Sequence, residues 1–174
     1  MRKTKQIAYT AMLTALYFVL SALLRIPVTE HLVLDLGYIS LTAGAYFLGG
    51  VPAAAIGAAG ALLESALMGQ RGISVGWILM NAILGYLCGA GFAKIGKAGE
   101  KGFYPRACLT VVLSMLPGVA VKTVLDCLIY GLPPALKIVS GLVVWLTDSL
   151  VMCAVGLPLC LTLSKKIPRM SSRT

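Results

Sequence analysis

The chain has 174 residues, 59% of them hydrophobic and 12% charged, with a mean hydropathy of +0.91. A soluble domain carries about a quarter charged residues, so this is an integral membrane protein; at roughly 20 residues per crossing, six spans nearly exhaust the length. No room is left for a soluble catalytic or nucleotide-binding domain, and the net charge of +9 does not mark a nucleic-acid binder, because the basic residues gather mainly at alternate helix ends.

Arg2, Lys3 and Lys5 precede an apolar run from Ile7 to Leu24. The run is long, and further spans follow it, which argues against a signal peptide. It is the first transmembrane helix, ending near Arg25-Ile26-Pro27. Val28–Gly37 is a loop carrying Glu30, His31 and Asp35. Tyr38–Leu48 is the second helix, Gly49–Pro52 a tight turn, and Ala53–Met68 the third, rich in small residues and able to pack closely. Both helices are short, so each is expected to tilt or to extend into its flanking loop. Gly69–Gly72 is a loop holding Gln70 and Arg71. Ser74–Ala93 forms the fourth helix and Lys94–Arg106 a basic connection. Ala107–Tyr130 is the fifth, with a kink expected at Pro117-Gly118. Leu136–Leu163 is the sixth, with Pro158 near its end, and a basic tail follows.

The expected architecture is all-α: one domain, residues 1–174, built as a bundle of six transmembrane helices. An even number of spans puts both termini on one side. Arg2, Lys3, Lys5, Lys94, Lys97, Lys101, Arg106, Lys165, Lys166, Arg169 and Arg173 fall on that side, against Arg25, Arg71 and Lys137 on the other. This asymmetry places both termini in the cytoplasm.

Lys122 and Asp126 lie four residues apart in an apolar run, so they share a helix face and can pair. A charge at the bilayer centre costs at least ~2.5–3.5 kcal/mol, which leaves a structural ion pair or a ligand contact as readings. Depth along the helices separates the two. Trp77 and Asn81 (i, i+4), Lys122 and Asp126, and Trp145 and Asp148 (i, i+3) all fall toward the outer side, as does Glu64. The inner halves carry few polar side chains. A purely structural network has no reason to favour one leaflet, and a channel or proton relay needs polar groups through the full depth. An outward-facing pocket explains the bias, with Trp77, Asn81, Lys122, Asp126, Trp145 and Asp148 as substrate-binding residues and Arg71 above them. Glu64 is left open, because it can pair with Arg71 or Arg25. His31 is assigned to solvent.

The five cysteines show no C-x-x-C spacing and are taken as small buried hydrophobes; no metal or cofactor is expected. Gly91–Ala98 fits G-x-x-x-x-G-K, but Ala98 replaces the magnesium-binding Ser/Thr and no strand precedes it. No hydrolase or metalloprotease motif occurs, so no enzyme is expected.

Lys5–Pro27, Leu34–Gly50, Gly76–Gly91 and Gly156–Ile167 together resemble the S component of energy-coupling factor (ECF) transporters, which import vitamins and other micronutrients in prokaryotes. The likeness spans nearly the whole chain. It implies a multi-pass subunit of the bacterial cell membrane that captures its substrate outside. Transport would need a membrane coupling subunit and two ATPase subunits, so this chain would have no ATPase site. Ala11 and Ala15 match the family's A-x-x-x-A pair on helix one, where the coupling subunit approaches; two small residues at i, i+4 also leave such a groove on physical grounds. The stretches Asp35–Tyr38 and Gly76–Gly85 look closest to the folate and pantothenate branch, pantothenate first, with Lys122 pairing a substrate carboxylate. The rival reading is a stand-alone ion-coupled carrier or channel for a small solute.

Overall fold

The computed structural model describes residues 2–23, 25–29, 32–68, 74–95, 100 and 102–166. Helix α1 (Arg2–Leu23) leads into strands β1 (Arg25–Thr29) and β2 (Leu32–Asp35), followed by α2 (Gly37–Leu48), α3 (Gly50–Met68), α4 (Val75–Lys94) and α5 (Phe103–Tyr130). The last span combines α6 (Pro134–Val151), a π-helical turn at Met152–Gly156 and α7 (Leu157–Ser164). Arg71, Gln70, Glu30 and His31 lie outside the described residues.

The expected loop after α1 is an antiparallel hairpin, with Arg25 opposite Asp35 and Ile26 opposite Leu34. Among the described residues the fold is therefore helical apart from this ribbon. Ile26, Val28, Thr29 and Val33 are β-branched and suit a pleated backbone, while Pro27 is tolerated because a two-stranded ribbon is all edge.

Among the described residues, five helical stretches are long and apolar enough to cross a membrane: α1, α3, α4, α5 and the run Pro134–Ser164. Helix α2, with 12 residues, rises only about 18 Å and does not reach that length; it neither extends nor merges with the hairpin. It is nonetheless the centre of the bundle. Tyr38, Leu41, Thr42 and Ala45 are fully buried, as are residues on its other faces, and a helix that is apolar all round belongs in a core.

Helices α3 and α4 pack backbone to backbone. A Cβ on Gly57 would meet the Asn81 backbone, one on Gly85 the Ala53 backbone, and one on Gly89 the backbone of Gly50. The small residues of α3 thus do what their composition predicts. Pro52 lies inside the first turn of α3, not in a separate turn, a position where its missing N–H leaves no bond unmade. Helix α5 is continuous through Pro117.

Pro158 shapes the last span. In a regular α-helix its ring would strike the carbonyl four residues back. Just before it, the Leu157 N–H bonds to the Met152 carbonyl five residues back, and this wider turn carries the chain past the proline.

Candidate functional site

Polar side chains gather at the end of the bundle opposite the start of α1 and the close of α7. The hairpin supplies the first of them. Asp35 stands two residues before Gly37, and its Oδ1 accepts from the Gly37 N–H at 2.8 Å and from Ser21 Oγ at 2.7 Å. The first bond is the short Asx turn that Asp makes with the backbone two residues on, and it starts α2. The second ties the returning strand to α1.

One helical turn before Ser21 on α1 stands Tyr17, also fully buried. Its hydroxyl donates to Asn81 Oδ1 at 3.2 Å, and its ring meets Tyr38 edge-on at a centroid distance of 6.2 Å. A Cβ on Gly60 would touch the Tyr17 ring, so α3 is bare where this phenol crosses to α4. Asn81 is itself fully buried and donates through Nδ2 to the Trp77 carbonyl at 3.0 Å. Ser74 caps α4 by accepting from the Trp77 N–H at 3.3 Å, and the Trp77 indole N–H donates to Glu64 Oε2 at 3.3 Å.

Asp148 on α6 is 3% exposed. It faces the Tyr38 hydroxyl and lies within electrostatic range of Asp35 and Glu64. Neither Asp148 Oδ2 nor Tyr38 Oη closes a hydrogen bond, so one acceptor and one phenol stand buried side by side at the heart of the cluster. Buried polar groups normally find partners, and this phenol and carboxylate are near enough to serve each other with a small shift of either side chain. The cluster is rich in acceptors, with three buried carboxylates, two phenols, a carboxamide and an indole drawn from α1, β2, α2, α3, α4 and α6.

A second polar group lies at the same end. Lys122 Nζ is 2.7 Å from Asp126 Oδ2, as the i, i+4 spacing predicts, and Lys137 Nζ of α6 is 3.1 Å from that same oxygen. The first turn of α4 separates the two groups. Gly76 faces Asp126, with a built Cβ 3.0 Å from its Oδ1, while the next residue, Trp77, turns to Glu64.

Of the residues expected from sequence, Trp77, Asn81 and Asp148 come together in the acceptor-rich cluster, and Lys122 and Asp126 form the adjoining ion group. Trp145 does not join either one. Its indole N–H donates to the Val112 carbonyl at 3.0 Å, which ties α6 to α5. Arg71 falls outside the described residues. Ala11 and Ala15 are exposed on α1, a helix that shows the bilayer Ile7, Met12, Leu16 and Val19 as well.

Sequence reasoning left out Tyr17, Ser21 and Lys137 and did not place Glu64. Asp35-Leu36-Gly37 carried a usable signal, the Asx turn at a helix start. Tyr17 and Ser21, four apart, carried another, since both fall on one face of α1.

Apolar helices closed around a polar group near one end have the build of a membrane protein that captures a small solute. The family model described as the ECF-type riboflavin transporter, S component, matches residues 1–165, and the chain belongs to that family. It is a multi-pass membrane protein and, as an S component, the vitamin-binding subunit of an ECF transporter. That assignment does not favour a stand-alone carrier or channel. The match carries the riboflavin description and gives no support to the folate and pantothenate branch. No curated protein and no solved structure matches the chain significantly.

Proposed function

We propose that this chain captures riboflavin, or a close flavin relative, from outside a bacterial cell membrane and delivers it through an ECF module. In this reading α2 and the hairpin together complete a sixth span, and both termini are cytoplasmic. The module's coupling subunit docks on α1 over Ala11 and Ala15, and two separate ATPase subunits hydrolyse ATP, this chain having no such site of its own.

The observation that carries the proposal is the cluster around Asp148. Its carboxylates and phenols suit a neutral ligand with many hydroxyl and N–H donors, while Trp77 at its edge offers an aromatic face for a planar ring. A flavin has both parts. Lys122 and Lys137 give a carboxylate ligand such as pantothenate or folate one point in its favour. Asn81 and Asp148 are assigned to the hydroxyl-bearing part of the ligand, and Arg71 to a further contact with it. Lys122 and Asp126 are assigned to the rim, with Trp145 holding α5 against α6 behind them.

Calorimetry on the detergent-purified protein with riboflavin, pantothenate and folate tests this directly. Riboflavin is expected to bind and the other two not. Asp148→Asn is expected to weaken riboflavin by about 1–3 kcal/mol, the cost of leaving a buried hydrogen-bonding group without its proper partner. Binding of pantothenate or folate in place of riboflavin would overturn the assignment.

A further inference from the structure

We propose that Lys122 and Lys137 form a receptor for one anionic group, a phosphate or a carboxylate, carried by a soluble ligand at the rim of the site. The inference adds a second recognition element to the capture function above, and its first test does not depend on which vitamin is bound.

The charge count comes first. Two ammonium groups share one carboxylate, leaving the group with one net positive charge. Both nitrogens lie within 3.1 Å of the same oxygen, Asp126 Oδ2, so they are held within about 6 Å of each other, where like charges repel. A surface pair that served only to bind α5 to α6 would need one lysine. The second adds repulsion that an incoming anion relieves.

The geometry points outward. Asp126 is buried, its side chain 5% exposed, while the side chains of Lys122 and Lys137 are 20% and 25% exposed. The carboxylate therefore holds the two ammonium groups from beneath. Each ammonium has three donors, and the structure gives each one side-chain bond, to Asp126. With both lysine side chains partly exposed, the remaining donors are open to an oxygen-rich group. Helix α4 adds to the field, because its first turn abuts Asp126 at Gly76 and the start of a helix carries partial positive charge. Neither lysine comes from the acceptor-rich cluster, so an anionic tail and a hydroxyl-rich body would be bound by different groups.

The first test uses inorganic phosphate on the purified protein, with chloride at matched ionic strength as control. Phosphate at ten times its Kd is expected to raise the melting temperature by about 3–6 °C. The shift should vanish in Lys137→Gln and return in Lys137→Arg, which keeps the charge. No shift in the wild type, or an equal shift in Lys137→Gln, would overturn the receptor. The second test compares riboflavin 5′-phosphate with riboflavin. The affinity ratio of phosphate ester to parent is expected to fall about tenfold in Lys137→Gln, and an equal loss for both ligands would show Lys137 to be scaffold only. If neither flavin binds the wild type, the substrate assignment fails and the phosphate test still decides the lysine pair. Native mass spectrometry from bilayers containing phosphatidylglycerol covers the remaining source. Retention of that lipid by the wild type, lost in Lys137→Gln, would give the site to a headgroup and overturn the soluble ligand.

Discussion

Tyr17 and Asn81 stand 64 residues apart in sequence and meet at 3.2 Å, the phenol of α1 reaching the carboxamide of α4 across the inside of the bundle. Helix α1 is otherwise peripheral, with most of its surface turned to the bilayer. Tyr17→Phe keeps the ring over Gly60 but leaves Asn81 Oδ1 buried without its donor. The expected loss is about 1–3 kcal/mol, visible as a lower melting temperature in detergent. An unchanged transition would mean the bond contributes nothing to stability.

The ion group at the rim orders three substitutions. Lys122→Met leaves Asp126 paired with Lys137, and Lys137→Met leaves it paired with Lys122. Asp126→Asn leaves two ammonium groups facing each other without a counter-charge. It should therefore destabilise more than either lysine variant, by about 1–3 kcal/mol after allowing for the lysines' partial exposure. Denaturation midpoints of the three proteins check the order. The double variant Lys122→Met with Asp126→Asn is no neutral control, since Lys137 would then lack its partner.

Ala15 is exposed one turn from Ala11 on the membrane-facing side of α1. Ala15→Trp should abolish co-purification with a coupling subunit and uptake by cells, while vitamin binding by the isolated chain persists. Recovery of the assembled transporter at wild-type yield would remove α1 from the docking surface.

Orientation is open to direct measurement in a cysteine-free background. An impermeant maleimide applied to whole cells should label Leu132→Cys, in the exposed turn between α5 and α6, and spare Lys166→Cys. The reverse pattern would invert the topology.

Much of this arrangement was legible in the residues. Long apolar runs, capped by Ser74 or closed by Gly131, locate the spans to within a few residues, because in a bilayer every backbone group must be satisfied within its own helix. Lys122 and Asp126 announced their pairing by spacing alone. The rest depended on contacts between distant segments. Nothing near Lys137 shows that it shares Asp126, and nothing near Tyr17 shows that Asn81 awaits it. Trp145 looked like a ligand platform because an indole in an apolar helix needs a partner. That partner proved to be the Val112 carbonyl of α5, a backbone group that no sequence pattern points to. The hairpin was hidden by its shortness, since strands of five and four residues around a proline look like a loop.

The wide turn before Pro158 ties chain length to residue choice in the last span. Met152–Gly156 holds one residue more than an α-helical path needs, and the wide turn absorbs that surplus, so Asp148 above and Leu157 and Cys160 below keep the faces they would have on a helix one residue shorter. Deleting the exposed Ala154 would leave both faces in place but return Pro158 to a regular helix that rejects it. Replacing Pro158 with alanine alone would leave a wide turn with nothing to justify it. Made together, the two changes compensate, so a shortened last helix is compatible with the same core only when its proline is lost in the same step.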